Sequence, residues 1–67
     1  MELSARNQLK GTVKQVKTDG LMAEVVIDLG GQEIVATITK ASVDRLKLKT
    51  GDAAFAIVKA SEVIVGK

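Results

Sequence analysis

Asp19-Gly20, Gly30-Gly31 and the run Leu48-Lys49-Thr50-Gly51-Asp52 punctuate this chain at the places where strands would have to turn. Asp-Gly and Gly-Gly tolerate the positive φ that tight hairpins need. The intervening residues are rich in β-branched side chains that alternate with polar ones, the pattern of half-buried strands. Met22 to Leu29 is the clearest case, with Ala23, Val25, Ile27 and Leu29 on one face and Met22, Glu24, Val26 and Asp28 on the other. Leu9 to Val16 sets Leu9, Gly11 and Val13 against Lys10, Thr12 and Lys14, and Glu33 to Ile38 places Ile34, Ala36 and Ile38 together.

After the third strand the period changes. Val43 and Leu46 are spaced for a helix, and Thr39 is an N-cap whose hydroxyl can accept an early helical N–H. One or two helical turns are therefore predicted before a fourth strand, Ala53 to Lys59, and a short fifth, Val63-Ile64-Val65. Five strands with one short helix between the third and fourth predict an all-β, OB-like Greek-key barrel. Residues 1–67 form a single domain, with no repeat, low-complexity tract or linker.

A 67-residue domain buries only about 60% of the surface its unfolded chain exposes, so it needs a staple. With no Cys and no His, disulfides and structural metal are effectively excluded, and association between copies remains. The apolar residues, 46% of the chain, are almost all Val, Ile, Leu and Ala, as suits thin sheets packed across subunit contacts. A homo-oligomer is expected.

The net charge of +2 is too small to mark a nucleic-acid binder by itself. OB-like barrels that bind single strands stack bases on aromatic side chains, and Phe55 is the one aromatic here. Its alternation with Ala53 and Ile57 assigns it to core packing, and no nucleic-acid partner is expected. No stretch approaches the ~20 apolar residues of a membrane span, and Met1-Glu2-Leu3 lacks a secretory signal; a cytoplasmic protein with no membrane partner is expected. Catalysis finds no reaction-specific set of acid, base or nucleophile, so no enzyme is expected. Glu24 and Asp28 read as a solvated outer face, and the scattered Asp19, Asp28, Asp44 and Asp52 lack the spacing of a cation loop.

Three polar stretches contain no Asp or Glu: Ser4 to Lys10, Thr39 to Val43, and Lys59 to Ser61. Such a composition suits an anion. Arg6 offers a planar fork of charged donors and Lys59 a point charge, while Ser4, Thr39, Ser42 and Ser61 offer hydroxyls. The helix start after Thr39 would add backbone N–H groups. Structural roles compete with these: Thr39 and Ser42 can simply cap the helix, Arg6 can pair with an acid of a neighbouring subunit, and Asn7 and Gln8 can satisfy backbone groups. Lys10 and Lys40 read as solvated.

The run Ser4-Ala5-Arg6-Asn7-Gln8-Leu9-Lys10-Gly11 followed by alternating strands resembles the molbindins, the small molybdate- and tungstate-binding Mop family with a TOBE-like domain. The resemblance continues through Val35–Val43, the Leu48–Asp52 turn and Ile57–Ser61. It implies molybdate or tungstate as the bound ligand, with no organic cofactor and no metal held as a cation. It further implies a site made of Ser4, Ala5, Arg6, Thr39, Ser42, Lys59, Ala60 and Ser61, drawn from more than one subunit of a homohexamer arranged as a trimer of dimers. Storage and homeostasis of molybdenum is the implied role. Because these oxyanions are already ionised at neutral pH, their cage should be rich in donors and poor in carboxylates. The alternatives are an OB-like nucleic-acid or adaptor module, and a molybdenum-pterin carrier, ranked lower because one aromatic is little to stack a pterin.

Overall fold

A computed structural model describes all of residues 1–67. Four strands form one antiparallel sheet in the order β3-β2-β1-β4: β1 (Asn7–Asp19), β2 (Met22–Asp28), β3 (Glu33–Thr39) and β4 (Ala53–Val58). Helix α1 (Lys40–Leu46) joins β3 to β4, and a 3-10 turn covers Ala60–Glu62.

β1 organises the sheet because its two halves serve different neighbours. Asn7 to Thr12 pairs with β4, from Asn7 opposite Val58 to Thr12 opposite Ala53, and Thr12 to Asp19 pairs with β2, ending with Asp19 opposite Met22. The register shifts between Val13 and Gln15, which leaves Lys14 as the extra residue of a bulge. A bulge turns a strand and shifts its alternation by one. This explains why Val13 and Val16, three residues apart, both pack on the core. At the bend Val13 bonds with the turn before β4: its N–H donates to Asp52 O and its carbonyl accepts from Gly51 N–H, both at 2.8 Å. Lys14, freed from the ladder, pairs with Glu33, which raises the lysine above its usual 10.5. That contribution is present at neutral pH and fades only as pH climbs through the raised value; for so exposed a pair it is small.

Val13, Ala23, Val25, Ile27, Val43 and Ala56 form the core, with Val43 delivered by α1 as a lid on the sheet. The helix ends on Lys47 in the left-handed region (φ 53°), and Leu48 N–H donates back to Val43 O, returning the chain to the core at Leu48. Gly11 marks the tightest approach. A Cβ there would lie 2.5 Å from Asp28 O and 2.6 Å from Ile27 Cγ2, so Gly11→Ala is expected to cost about 1–3 kcal/mol by overpacking. Urea denaturation measures this as a lower midpoint with an unchanged slope.

The all-β architecture and the helix between β3 and β4 agree with the sequence reading, but two expectations fail. Val63-Ile64-Val65 is not a strand: after the 3-10 turn it is unpaired, and Ile64 is 93% exposed. β3 and β4 consequently end the sheet on either side, and the chain is a curled four-stranded sheet rather than a five-stranded barrel. Phe55 is not in the core. Small Ala54 and Ala56 take the inner positions of β4, which turns Phe55, with Ile57, to the outer face at 47% exposure. Alternation had grouped Ala53, Phe55 and Ile57 correctly; which face was inner depended on β4 pairing Ala56 with Leu9.

Candidate functional site

The pairing of Asn7 with Val58 sets the start of β1 beside the end of β4. Ser4-Ala5-Arg6 and Lys59-Ala60-Ser61 therefore flank one end of the sheet, although they are more than fifty residues apart in sequence. Gln8 holds the first of these stretches, since its Nε2 donates to Ala5 O at 2.7 Å, a backbone group of its own chain rather than one across an interface. In the second, Glu62 N–H donates to Lys59 O (2.9 Å) and Val63 N–H to Ala60 O (3.3 Å), closing the 3-10 turn. Ser4, Arg6, Lys59, Ala60 and Ser61 are exposed and Ala5 is half-buried. Lys14 and Glu33 make the one ion pair of the chain, so neither Arg6 nor Lys59 has a carboxylate partner within it.

Thr39 and Ser42 form a second group. Thr39 Oγ1 accepts the Ser42 N–H (3.1 Å) and donates to Ser42 Oγ (2.8 Å), while Lys40 N–H donates to Leu21 O (2.8 Å). The cap reading of Thr39 is thus observed. It also limits the expected contribution of the helix start, because the amides of Lys40 and Ser42 are already used within the chain. The donors that remain include the Ala41 N–H and the Ser42 hydroxyl proton, which the bond received from Thr39 leaves free to point elsewhere. Thr39→Ala is expected to cost about 1 kcal/mol of stability, with Thr39→Ser close to the parent, in thermal unfolding followed by circular dichroism.

The two groups do not meet within one chain. Asp19 pairs with Met22 and Met22 with Thr39, so Thr39 lies level with the far end of β1 from Asn7. A strand as long as β1 spans about 40 Å when straight, and even a right-angle bend at its bulge leaves over ~20 Å. Donors around one tetrahedral ion lie within a few ångströms of it.

The structure brings together no cluster of three His, Cys, Asp or Glu side chains suited to a cation. It does contain a feature the sequence reading missed, an apolar trough of about 750 Å³ between β3 and β4, lined among others by Ile34, Val35, Leu46, Phe55 and Ile57. The signal was available: Ala54 and Ala56 are too small for an inner face that closes on itself, and Phe55 and Ile57 alternate with them.

A curled antiparallel sheet with one capped helix and two polar loop clusters defines a small all-β domain. The chain belongs to the TOBE domain family, which matches residues 3–65. It is similar to a probable molybdenum-pterin-binding protein of Haemophilus influenzae, 45% identical over 98% of this chain and 97% of that protein. Among solved structures it is similar to a molybdate-binding protein from Sporomusa ovata, with a TM-score of 0.95, 46% identity and complete coverage of both chains. It also matches the cytoplasmic molybdate-binding protein ModG in a molybdate-bound form, with a TM-score of 0.90 and 49% identity over 96% of this chain and 46% of that one.

Proposed function

We propose that this protein binds molybdate or tungstate as a preformed tetrahedral dianion at the boundaries between copies of itself, as a cytoplasmic store of the oxyanion and not as an enzyme. The observation that carries the proposal is the placement of the donors. Ser4-Ala5-Arg6 and Lys59-Ala60-Ser61 flank one end of the sheet, Thr39 and Ser42 the other, and neither group contains an acidic residue. One chain offers half a cage at each end; copies placed end to group complete it. The assembly is a homohexamer, a trimer of dimers, with more than one class of site, as the molbindin likeness implies. Ligand names among the relatives agree on molybdenum, as the bare oxyanion in one case and with a pterin in another. The bare ion fits this chain better, since its loops supply donors and its one aromatic, Phe55, lies in the apolar trough.

Selectivity over sulfate follows from size. Sulfate has the same charge on a smaller tetrahedron, so a rigid cage leaves some of its buried donors unsatisfied, at about 1–3 kcal/mol each. Titration calorimetry with molybdate, tungstate and sulfate tests the proposal. Saturable binding of the first two and at least tenfold weaker binding of sulfate is expected; equal binding of all three contradicts it.

A further inference from the structure

The six residues before β1 belong to no helix or strand. None of them takes part in a backbone hydrogen bond of the turns and loops, and the bond from Gln8 Nε2 to Ala5 O is the one hydrogen bond they make. Gln8 itself is fixed. It is the second residue of β1, half-buried, and it lies opposite Ile57 of β4 in the ladder. One side chain therefore ties the stretch Ser4-Ala5-Arg6 to the sheet.

The atom that Gln8 holds matters to an anion. Ser4 and Arg6 carry donors, whereas the Ala5 carbonyl can only accept, and an acceptor turned toward a dianion repels it. Gln8 occupies that carbonyl. Across a planar trans peptide the carbonyl and the following N–H point in opposite directions, and the chain contains no cis peptide. Fixing Ala5 O on the Gln8 side thus aims the Arg6 N–H away from it, and that N–H has no partner within the chain. Ala5 has no polar side-chain atom, so the peptide groups beside it are all that this position brings to a polar site.

We propose that Gln8 is a positioning residue for oxyanion selectivity: by holding the Ala5 carbonyl it points the Arg6 N–H at the anion and keeps the Ala5-Arg6 peptide from turning over. The inference rests on the oxyanion reading and adds to it a residue that touches no ligand. Its effect falls on discrimination between ions more than on the fold. A peptide tied to the sheet keeps its N–H at the distance that suits the larger tetrahedron, and a smaller one leaves that donor unsatisfied. An untied peptide follows the smaller ion inward. Cutting the tie therefore costs molybdate more than sulfate.

Gln8→Met tests this, because methionine keeps the length of the side chain and removes the amide donor. Titration calorimetry on parent and variant is run with molybdate and, by competition, with sulfate. Molybdate is expected to bind the variant about tenfold more weakly, the size of effect that one donor to a charged group exerts. Sulfate affinity is expected to stay close to that of the parent, so the preference for molybdate shrinks by nearly the same factor. Parental molybdate affinity in the variant overturns the proposal. So does an equal fall for both ions, since a merely loosened chain end weakens every ligand alike. A parent that binds no molybdate overturns the oxyanion reading together with this one, whereas a binding parent with an unaltered variant overturns this one alone. If Gln8→Met does not fold, amide NMR spectra of the parent decide: the Arg6 amide is expected to shift and to exchange more slowly with solvent when molybdate is added, and an Arg6 amide unmoved at saturation overturns the proposal.

Discussion

Arg6→Ala and Lys59→Ala are each expected to weaken molybdate binding at least tenfold without changing the β-rich circular dichroism spectrum. Both side chains are exposed and neither has a carboxylate partner, so their removal takes away no core volume and no internal ion pair. A hydrogen bond to a charged group contributes about 1.5–3 kcal/mol, and each 1.4 kcal/mol is tenfold in affinity. Arg6→Lys is expected to recover only part of the loss, because an ammonium keeps the charge but not the two-pronged geometry of the guanidinium. Titration calorimetry on the folded variants checks this, and parental affinity in both alanine variants would remove these residues from the site.

Molybdate is also expected to raise the melting temperature by a large margin. Only seven of the 67 residues are buried, so the isolated chain has little core to stabilise it. A ligand that binds only the assembled, folded form at a hundred times its dissociation constant adds about 2.7 kcal/mol. For a domain of this size each kcal/mol is ~4–8 °C, so a rise of roughly 10–20 °C is expected from molybdate. Sulfate at the same concentration should leave the midpoint nearly unmoved. Melting curves followed by circular dichroism decide the point, and an equal rise with sulfate would show that charge alone, not ion size, is being read.

The features that local chemistry determines were legible in the sequence. Asp19-Gly20 and Gly30-Gly31 do turn β1 into β2 and β2 into β3, because those residue pairs tolerate the backbone the turns require. Thr39 caps α1 because its hydroxyl reaches the Ser42 amide three residues on, a relation contained within four residues. What escaped depends on contacts between distant segments. The bulge at Lys14 is fixed by the turn at Gly51-Asp52 bonding to Val13, which no window around Lys14 contains. Phe55 was assigned inward because large aromatics are usually buried, yet the inner position went to Ala56 opposite Leu9, leaving Phe55 over the trough. Val63-Ile64-Val65 has the composition of a strand, but composition does not supply a partner, and neither edge of the sheet pairs with it in the chain.

The candidate site divides in the same way. Its residue types were visible as three stretches of donors without acids, but their distribution between the two ends of β1 emerged only from the pairings of Asn7 with Val58 and Met22 with Thr39. If both groups serve one ion, as the proposed function holds, that separation makes association a condition of binding.

The most direct measurement is native mass spectrometry of the protein titrated with molybdate, with sulfate as control, because it reports subunit number and bound oxyanion in the same particle. Molybdate carried by oligomers alone, with residual monomer bare and sulfate bound by neither, is the expected result. A 7.1 kDa monomer that carries molybdate as readily as the oligomer would contradict it.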